Sequence, residues 1–125
     1  MLGDSVLQAI VATAQPDKAK AFYSETLGLK LLSEDQFAIL FAGKIGLLRV
    51  AKAPGVVPSS GAVLAFMVPD VAGMAKALGA KGVRMERYAF LQQDADGLWV
   101  GPDGTQVCWF RDPDLNLLSL VSTPK

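Results

Sequence analysis

Two stretches of this chain open the same way: a short apolar run, then Pro-Asp, then a helix-like pattern closed by Leu-Gly. The first is SVLQAIVATA (5–14) followed by Pro16-Asp17, and the second is AVLAFMV (62–68) followed by Pro69-Asp70. Proline suits the first turn of a helix, and aspartate suits the positive end of its dipole. The first helix is expected over 16–26, burying Ala19, Phe22 and Tyr23 and stopping at Gly28. The second buries Val71, Met74, Ala75 and Leu78 and ends at Gly79. After the first helix, LKLLSE (29–34), QFAILFAG (36–43) and KIGLLRVA (44–51) read as strands, the last two turning near Gly43-Lys44. After the second, GVRMERYAF (82–90), TQVCWF (105–110) and LNLLSLVS (115–122) do the same. The expected fold is therefore α+β: two βαβββ modules in tandem, 1–52 and 62–125, joined by the Pro/Gly/Ser-rich linker 53–61. The long polar insertion 91–104 makes the second copy imperfect. An α+β domain without a repeat is the alternative. The ordered recurrence of helix starts, Leu-Gly helix ends and closing Leu-Leu strands favours the repeat.

Composition bounds the function. Apolar residues make up 51% of the 125 and charged ones 19%, enough to bury a core. Twelve basic residues balance twelve acidic ones, which argues against binding to a phosphate backbone or an anionic membrane surface. Asp4 stands where a signal peptide carries Lys or Arg, and no stretch approaches the roughly 20 apolar residues of a membrane span. The lone cysteine, Cys108, cannot form an internal disulfide, so a reducing cytoplasm is expected and the thiol reads as a buried apolar filler. There is no histidine. That removes Ser-His-Asp and Cys-His nucleophile systems, imidazole bases and every His-based zinc site.

Two motifs carry a family resemblance. Ala21-Phe22-Tyr23 with Thr26-Leu27-Gly28-Leu29 resembles the FY…LGL signature of the first helix of the vicinal oxygen chelate superfamily, which includes glyoxalase I, extradiol dioxygenases, and fosfomycin- and bleomycin-resistance proteins. Trp109-Phe110-Arg111-Asp112-Pro113-Asp114-Leu115-Asn116-Leu117-Leu118 is similar to its (Y/F)F-x-DP-DGN-x-(I/L) signature, with Leu115 in place of the usual glycine. The resemblance implies curved mixed sheets around a cavity formed between modules, often across a dimer. In metal-dependent members, His, Gln or Glu ligands occupy inward strand positions. Carried over one at a time, three of those positions fall on Gln8, Val63 and Ser119, and the fourth-strand position lies within Leu47 to Arg49, where strand pairing favours Arg49. Valine cannot bind a cation, and arginine repels one and stays protonated. Neutral Gln and Ser oxygens do not compensate a divalent charge. The resemblance thus implies a member with no metal and no other cofactor.

Strand alternation fills in the cavity. With Gln8 inward, Val6, Ile10 and Ala12 follow; with Val63, Ala65 and Met67; with Ser119, Leu117 and Val121. The resemblance implies that the position three before Asp-Pro lines the pocket, which puts Trp109 and Val107 inside and Cys108 outside. Val83 and Met85 are expected under the helices, leaving Arg84, Glu86 and Tyr88 toward the concave side. The ligand-binding residues expected are Gln8, Arg49, Val63, Met67, Arg84, Trp109 and Ser119. Glu86 and Tyr88 are the candidate acid/base pair if a reaction is catalysed. Each has a plainer reading: Trp109 as core, Arg49 as a solvated edge residue, Glu86 and Tyr88 as a paired strand surface. Arg49, flanked by Ile45 and Leu47 on its face, calls for an anionic partner, either Glu86 or a ligand carboxylate or phosphate. Trp99 reads equally as a lid residue or a plug in a dimer seam.

The expected function is binding of a small organic molecule, flat or apolar with an anionic or carbonyl group facing Arg49 or Arg84, by a cytoplasmic homodimer without a catalytic metal. The alternatives are a lyase, isomerase or dioxygenase-type enzyme of the same superfamily, and an antibiotic-sequestering resistance protein. A sequestrant of cationic drugs calls for an acidic surface, against which the neutral composition counts.

Overall fold

The computed structural model describes residues 1–124. The chain divides into two compact units, Met1–Val57 and the remainder from Pro58, with the division inside the 53–61 stretch. Each unit is a βαβββ module holding one four-stranded mixed sheet.

In the first unit the elements are β1 (Gln8–Thr13), α1 (Pro16–Ala21), β2 (Lys30–Glu34), β3 (Ala38–Ala42) and β4 (Leu47–Lys52), in sheet order β1-β4-β3-β2. β1 runs parallel to β4, and the other pairings are antiparallel. The Thr13 hydroxyl accepts the Gln15 N–H at 3.0 Å just before Pro16 opens α1. The expected helix over 16–26 changes character midway: Phe22–Thr26 is a π-helical turn, with the Leu27 N–H reaching the Phe22 carbonyl. Ser24 Oγ donates to the Lys20 carbonyl at 2.5 Å, a competing bond of the kind that distorts a helix. Gly28, at φ +79°, then ends it. The core is Val11, Ile39, Phe41 and Val50 against Ala19 and Tyr23, whose ring lies 5.8 Å from Phe41. β1 starts three residues later than expected, leaving Val6 and Leu7 exposed. Ile45 falls in the Gly43–Gly46 turn, not on β4. β2 is an exposed edge strand with a register shift between Leu31 and Ser33. Its Glu34 lies between Lys20 (3.0 Å) and Lys52 (2.8 Å).

In the second unit the elements are β5 (Leu64–Met67), α2 (Val71–Ala80), β6 (Trp99–Val100), β7 (Gln106–Arg111) and β8 (Leu117–Ser122), in order β5-β8-β7-β6. Asp70 caps α2 by accepting the Gly73 N–H at 3.0 Å. A Cβ on residue 73 would lie 2.3 Å from Asp70 Oδ2, so the cap depends on glycine there. Val71, Ala75 and Leu78 of α2 are buried with Cys108, Phe110, Leu118 and Leu120, while Met74 stays 39% exposed at the margin.

The structure corrects one strand. Residues 82–90 are not β-structure, and the fourth strand comes instead from Trp99–Val100 inside the 91–104 insertion. Among the described residues, the backbone tie of this segment to the sheet is the Glu86 N–H, which donates to the Trp109 carbonyl at 2.7 Å. The Gln93 side chain takes the place of a neighbouring strand. Its Oε1 accepts the Tyr88 N–H at 2.8 Å, and its Nε2 donates to the carbonyls of Glu86 (3.0 Å) and Gly97 (2.8 Å). These bonds satisfy the backbone without a ladder.

Asp112 organises the turn before β8. Its Oδ1 accepts the N–H groups of Asp114 (3.0 Å) and Asn116 (2.8 Å), and its Oδ2 the Asn116 amide (2.9 Å). The turn holds Leu115 at φ +69°.

Candidate functional site

On each sheet, one face packs on its helix and the other carries the candidate residues. In the second unit the register sets Ala65, Ser119 and Trp109 in one row, and Met67, Val121, Val107 and Trp99 in the next, all on the face away from α2. Trp109 is half-buried between two aromatic rings: Tyr88 stands edge-on at 5.6 Å and 87°, and Trp99 is tilted at 6.0 Å and 42°. Phe90 extends the cluster, 5.5 Å from Tyr88. The Trp99 question raised by the sequence receives a partial answer, since its ring belongs to this aromatic wall. Val63 and Met67 border the face and are 43% and 68% exposed. Ser119 is buried, its Oγ directed at the Leu64 carbonyl at 3.4 Å. Arg84 is exposed and outside any strand.

Arg111 is the residue that the sequence reading missed. It shares strand parity with Val107 and Trp109, and its Nε donates to Glu86 Oε1 at 2.5 Å while Nη1 donates to the Leu115 carbonyl at 2.9 Å. Glu86 is thereby engaged within its own unit. Strand parity is the sequence signal for Arg111, which sits inside the Trp-Phe-Arg-Asp-Pro motif that carries the family resemblance. No hydrogen bond joins Glu86 to Tyr88 among the described residues. The Tyr88 hydroxyl is buried without a hydrogen-bond partner, and this burial raises its pKa; Arg111 and Glu86 exert smaller, opposing effects. Beside the wall, a shallow open depression of about 590 Å³ is lined by Phe90, Gln93, Leu98, Trp99 and Val100 among others, but not by Trp109. Its Gln93 is already committed to holding the loop.

Cys108 lies on the opposite face of β7, fully buried against α2's side of the sheet. Burial, helped by the charges of Asp94 and Asp96, pushes its thiol up to about 11, so it is no nucleophile at neutral pH.

In the first unit, Gln8 and Arg49 share the face away from α1, and Arg49 Nε donates to Gln8 Oε1 at 3.1 Å. Ile10 and Leu40 flank Arg49 across the two neighbouring strands. Of the four positions to which the resemblance assigns metal ligands, Gln8 and Arg49 thus meet in one unit, and Val63 and Ser119 sit on the other. Among the described residues, no three His, Cys, Asp or Glu side chains gather as a metal site. Nor is any helix among them long and apolar enough to cross a membrane.

Paired βαβββ units, each with a four-stranded mixed sheet and the site residues on the face away from its helix, define the class as an α+β protein of the vicinal-oxygen-chelate type. The family model described as Glyoxalase/Bleomycin resistance protein/Dioxygenase superfamily matches residues 5–120, and the chain belongs to that superfamily. Among solved structures it is similar to a lactoylglutathione lyase from Agrobacterium tumefaciens (17% identity, TM-score 0.73, covering 95% of this chain and 93% of that one). It is also similar to a glyoxalase family protein from Bacillus anthracis (17%, 0.76, 97% and 96%). A superfamily member from Sphaerobacter thermophilus gives 21% identity and a TM-score of 0.75 over 98% and 99% of the two chains. No curated protein matches the chain by sequence.

Proposed function

We propose that this protein binds a small, flat organic molecule against Trp109 and does so without a catalytic metal. The observation that carries the reading is the Tyr88–Trp109–Trp99 wall: a half-buried indole held between two rings on the face away from α2. Such a wall offers a large apolar contact at fixed geometry. The metal-free part rests on donor chemistry. Gln8 Oε1 already accepts from Arg49, Val63 has no donor atom, and Ser119 Oγ is turned to a carbonyl. That set does not suit a divalent cation. We further propose that the protein acts as a cytoplasmic homodimer. Exposed apolar residues on the faces away from the helices, Ile10 (62%) and Met67 (68%) among them, support pairing of two copies.

The test uses the Trp99→Phe protein, in which Trp109 is the only indole. A flat aromatic ligand should quench or shift its emission saturably, and elemental analysis of untagged protein should find no stoichiometric metal. A bound ligand that leaves the emission untouched overturns the Trp109 reading. Stoichiometric zinc, nickel, manganese or iron restores the lyase or dioxygenase alternative. A monomeric mass by light scattering at micromolar concentration refutes the dimer.

A further inference from the structure

We infer that Arg49 and Gln8 together form a carboxylate anchor on the face of the first unit's sheet turned away from α1. The inference deepens the small-molecule reading above, and rests on it only for the claim that the carboxylate belongs to an organic ligand.

Three observations carry it. First, the Arg49 charge is not neutralised: among the described residues no ion pair includes it. The acid that feels its charge, Asp35, has its Oδ1 engaged by the N–H groups of Phe37 (2.8 Å) and Ala38 (2.9 Å). The nearby Lys52 is held by Glu34. Second, Arg49 as a residue is half-buried over an apolar floor, with Ile10 and Leu40 opposite it and Leu47 and Ala51 on its own strand face, while its bond to Gln8 lies exposed and open to a ligand. The floor offers contact to the carbon body of an organic anion whose charge meets the guanidinium. Third, the side-chain hydrogen bond to Gln8 fixes what the pair presents outward. Arginine has donors only, so Gln8 must turn its oxygen toward Nε, and the glutamine NH₂ is left facing away. The remaining Arg49 N–H groups and the Gln8 amide therefore make an all-donor set. An acceptor-only planar anion matches it, and one positive charge matches a monoanionic carboxylate better than a phosphate dianion.

The experiment follows the Arg49 Nε–H resonance of the full chain while sodium acetate, sodium benzoate or sodium phosphate is titrated against sodium chloride at matched ionic strength. Saturable shifts with both carboxylates and weaker ones with phosphate are expected. Gln8→Glu supplies a carboxylate in place, neutralises the guanidinium and should weaken acetate and benzoate binding by about tenfold or more, with the melting temperature kept or raised. Arg49→Met, read by ligand-dependent melting, should lose the carboxylate-specific stabilisation. A chloride response equal to that of acetate, tighter binding of phosphate than of carboxylate, or Gln8→Glu within about twofold of the parent would overturn the anchor. Trp109 emission, read in the same samples, separates the two proposals. A neutral flat ligand that quenches Trp109 while Arg49 ignores carboxylates removes the anchor alone. A carboxylate response at Arg49 in a protein whose Trp109 answers no ligand removes the aromatic-wall reading alone.

Discussion

Leu115 occupies a backbone conformation that L-residues avoid, and its replacement gives a signed test of the turn before β8. At φ +69° its Cβ crowds the backbone, at a cost of about 1–2 kcal/mol that glycine escapes. The conformation persists because the turn is over-determined: Asp112 gathers two backbone N–H groups and the Asn116 amide, and Arg111 donates to the Leu115 carbonyl. Leucine itself is a poor reference, since its side chain is 56% exposed and so retains some apolar contact. The clean comparison is Leu115→Gly against Leu115→Ala, which both delete that contact. At an ordinary negative φ, glycine is the less stable of the two by about 0.5–1 kcal/mol because it loses more backbone entropy. At residue 115 the strain relief outweighs that loss, and Gly should exceed Ala by about 0.5–1 kcal/mol, or about 2–5 °C in melting temperature. Tryptophan fluorescence in urea reads the right unit, since both indoles, Trp99 and Trp109, lie in the second. Alanine equal to or more stable than glycine would refute the account.

Gly73→Ala, worth about 1 kcal/mol in an open helix, should give no gain here because Asp70 must leave its cap, but should recover that gain in an Asp70→Ala background; urea midpoints of the four proteins check this. Asp35 has its carboxyl held below the ordinary range, first by the Phe37 and Ala38 N–H groups and then by the charges of Arg49 and Lys52. A folded pKa below the unfolded one gives a contribution fully present above the unfolded value of about 3.9 and lost as pH falls through the folded value. Asp35→Asn should therefore lower stability at neutral pH and flatten the acid limb of the stability–pH curve, and an unaltered acid limb would count against it.

What could be read from the sequence was whatever a local rule dictates. Pro16 and Asp70 start their helices for reasons written in a few residues, and the positive φ of Gly28 is implied by its place after a helix. Strand parity alone puts Trp109 and Cys108 on opposite faces of β7, where the structure has them. The 82–90 segment misled because its alternation is a strand's, while its hydrogen bonds go to a glutamine side chain from the following loop. No periodicity reveals that Gln93 will satisfy three backbone groups. The pairing of Glu86 with Arg111 was hidden similarly. Two arginines, 49 and 111, had suitable parity, and only tertiary placement chooses between them. The π-helical turn at Phe22–Thr26 coincides with a serine back-bond and has no sequence pattern to announce it.

Two of the four sheet margins, β2 and β6, have a bearing on how copies of this protein meet. A strand at the border of a sheet exposes unpaired backbone groups, and another chain can continue the ladder from there into a fibre. β2 is such a border, exposed along its whole length. It carries a kink between Leu31 and Ser33, and Glu34 is clasped by two lysines, so an incoming strand meets a twisted rail bearing fixed charge. The other sheet blunts its margin differently. β6 offers two residues of rail, and the chain before it is bound by Gln93, not left open. Neither β2 nor β6 gives a straight template long enough to zip against, so a ladder running on from copy to copy is blocked at these two of the four sheet borders.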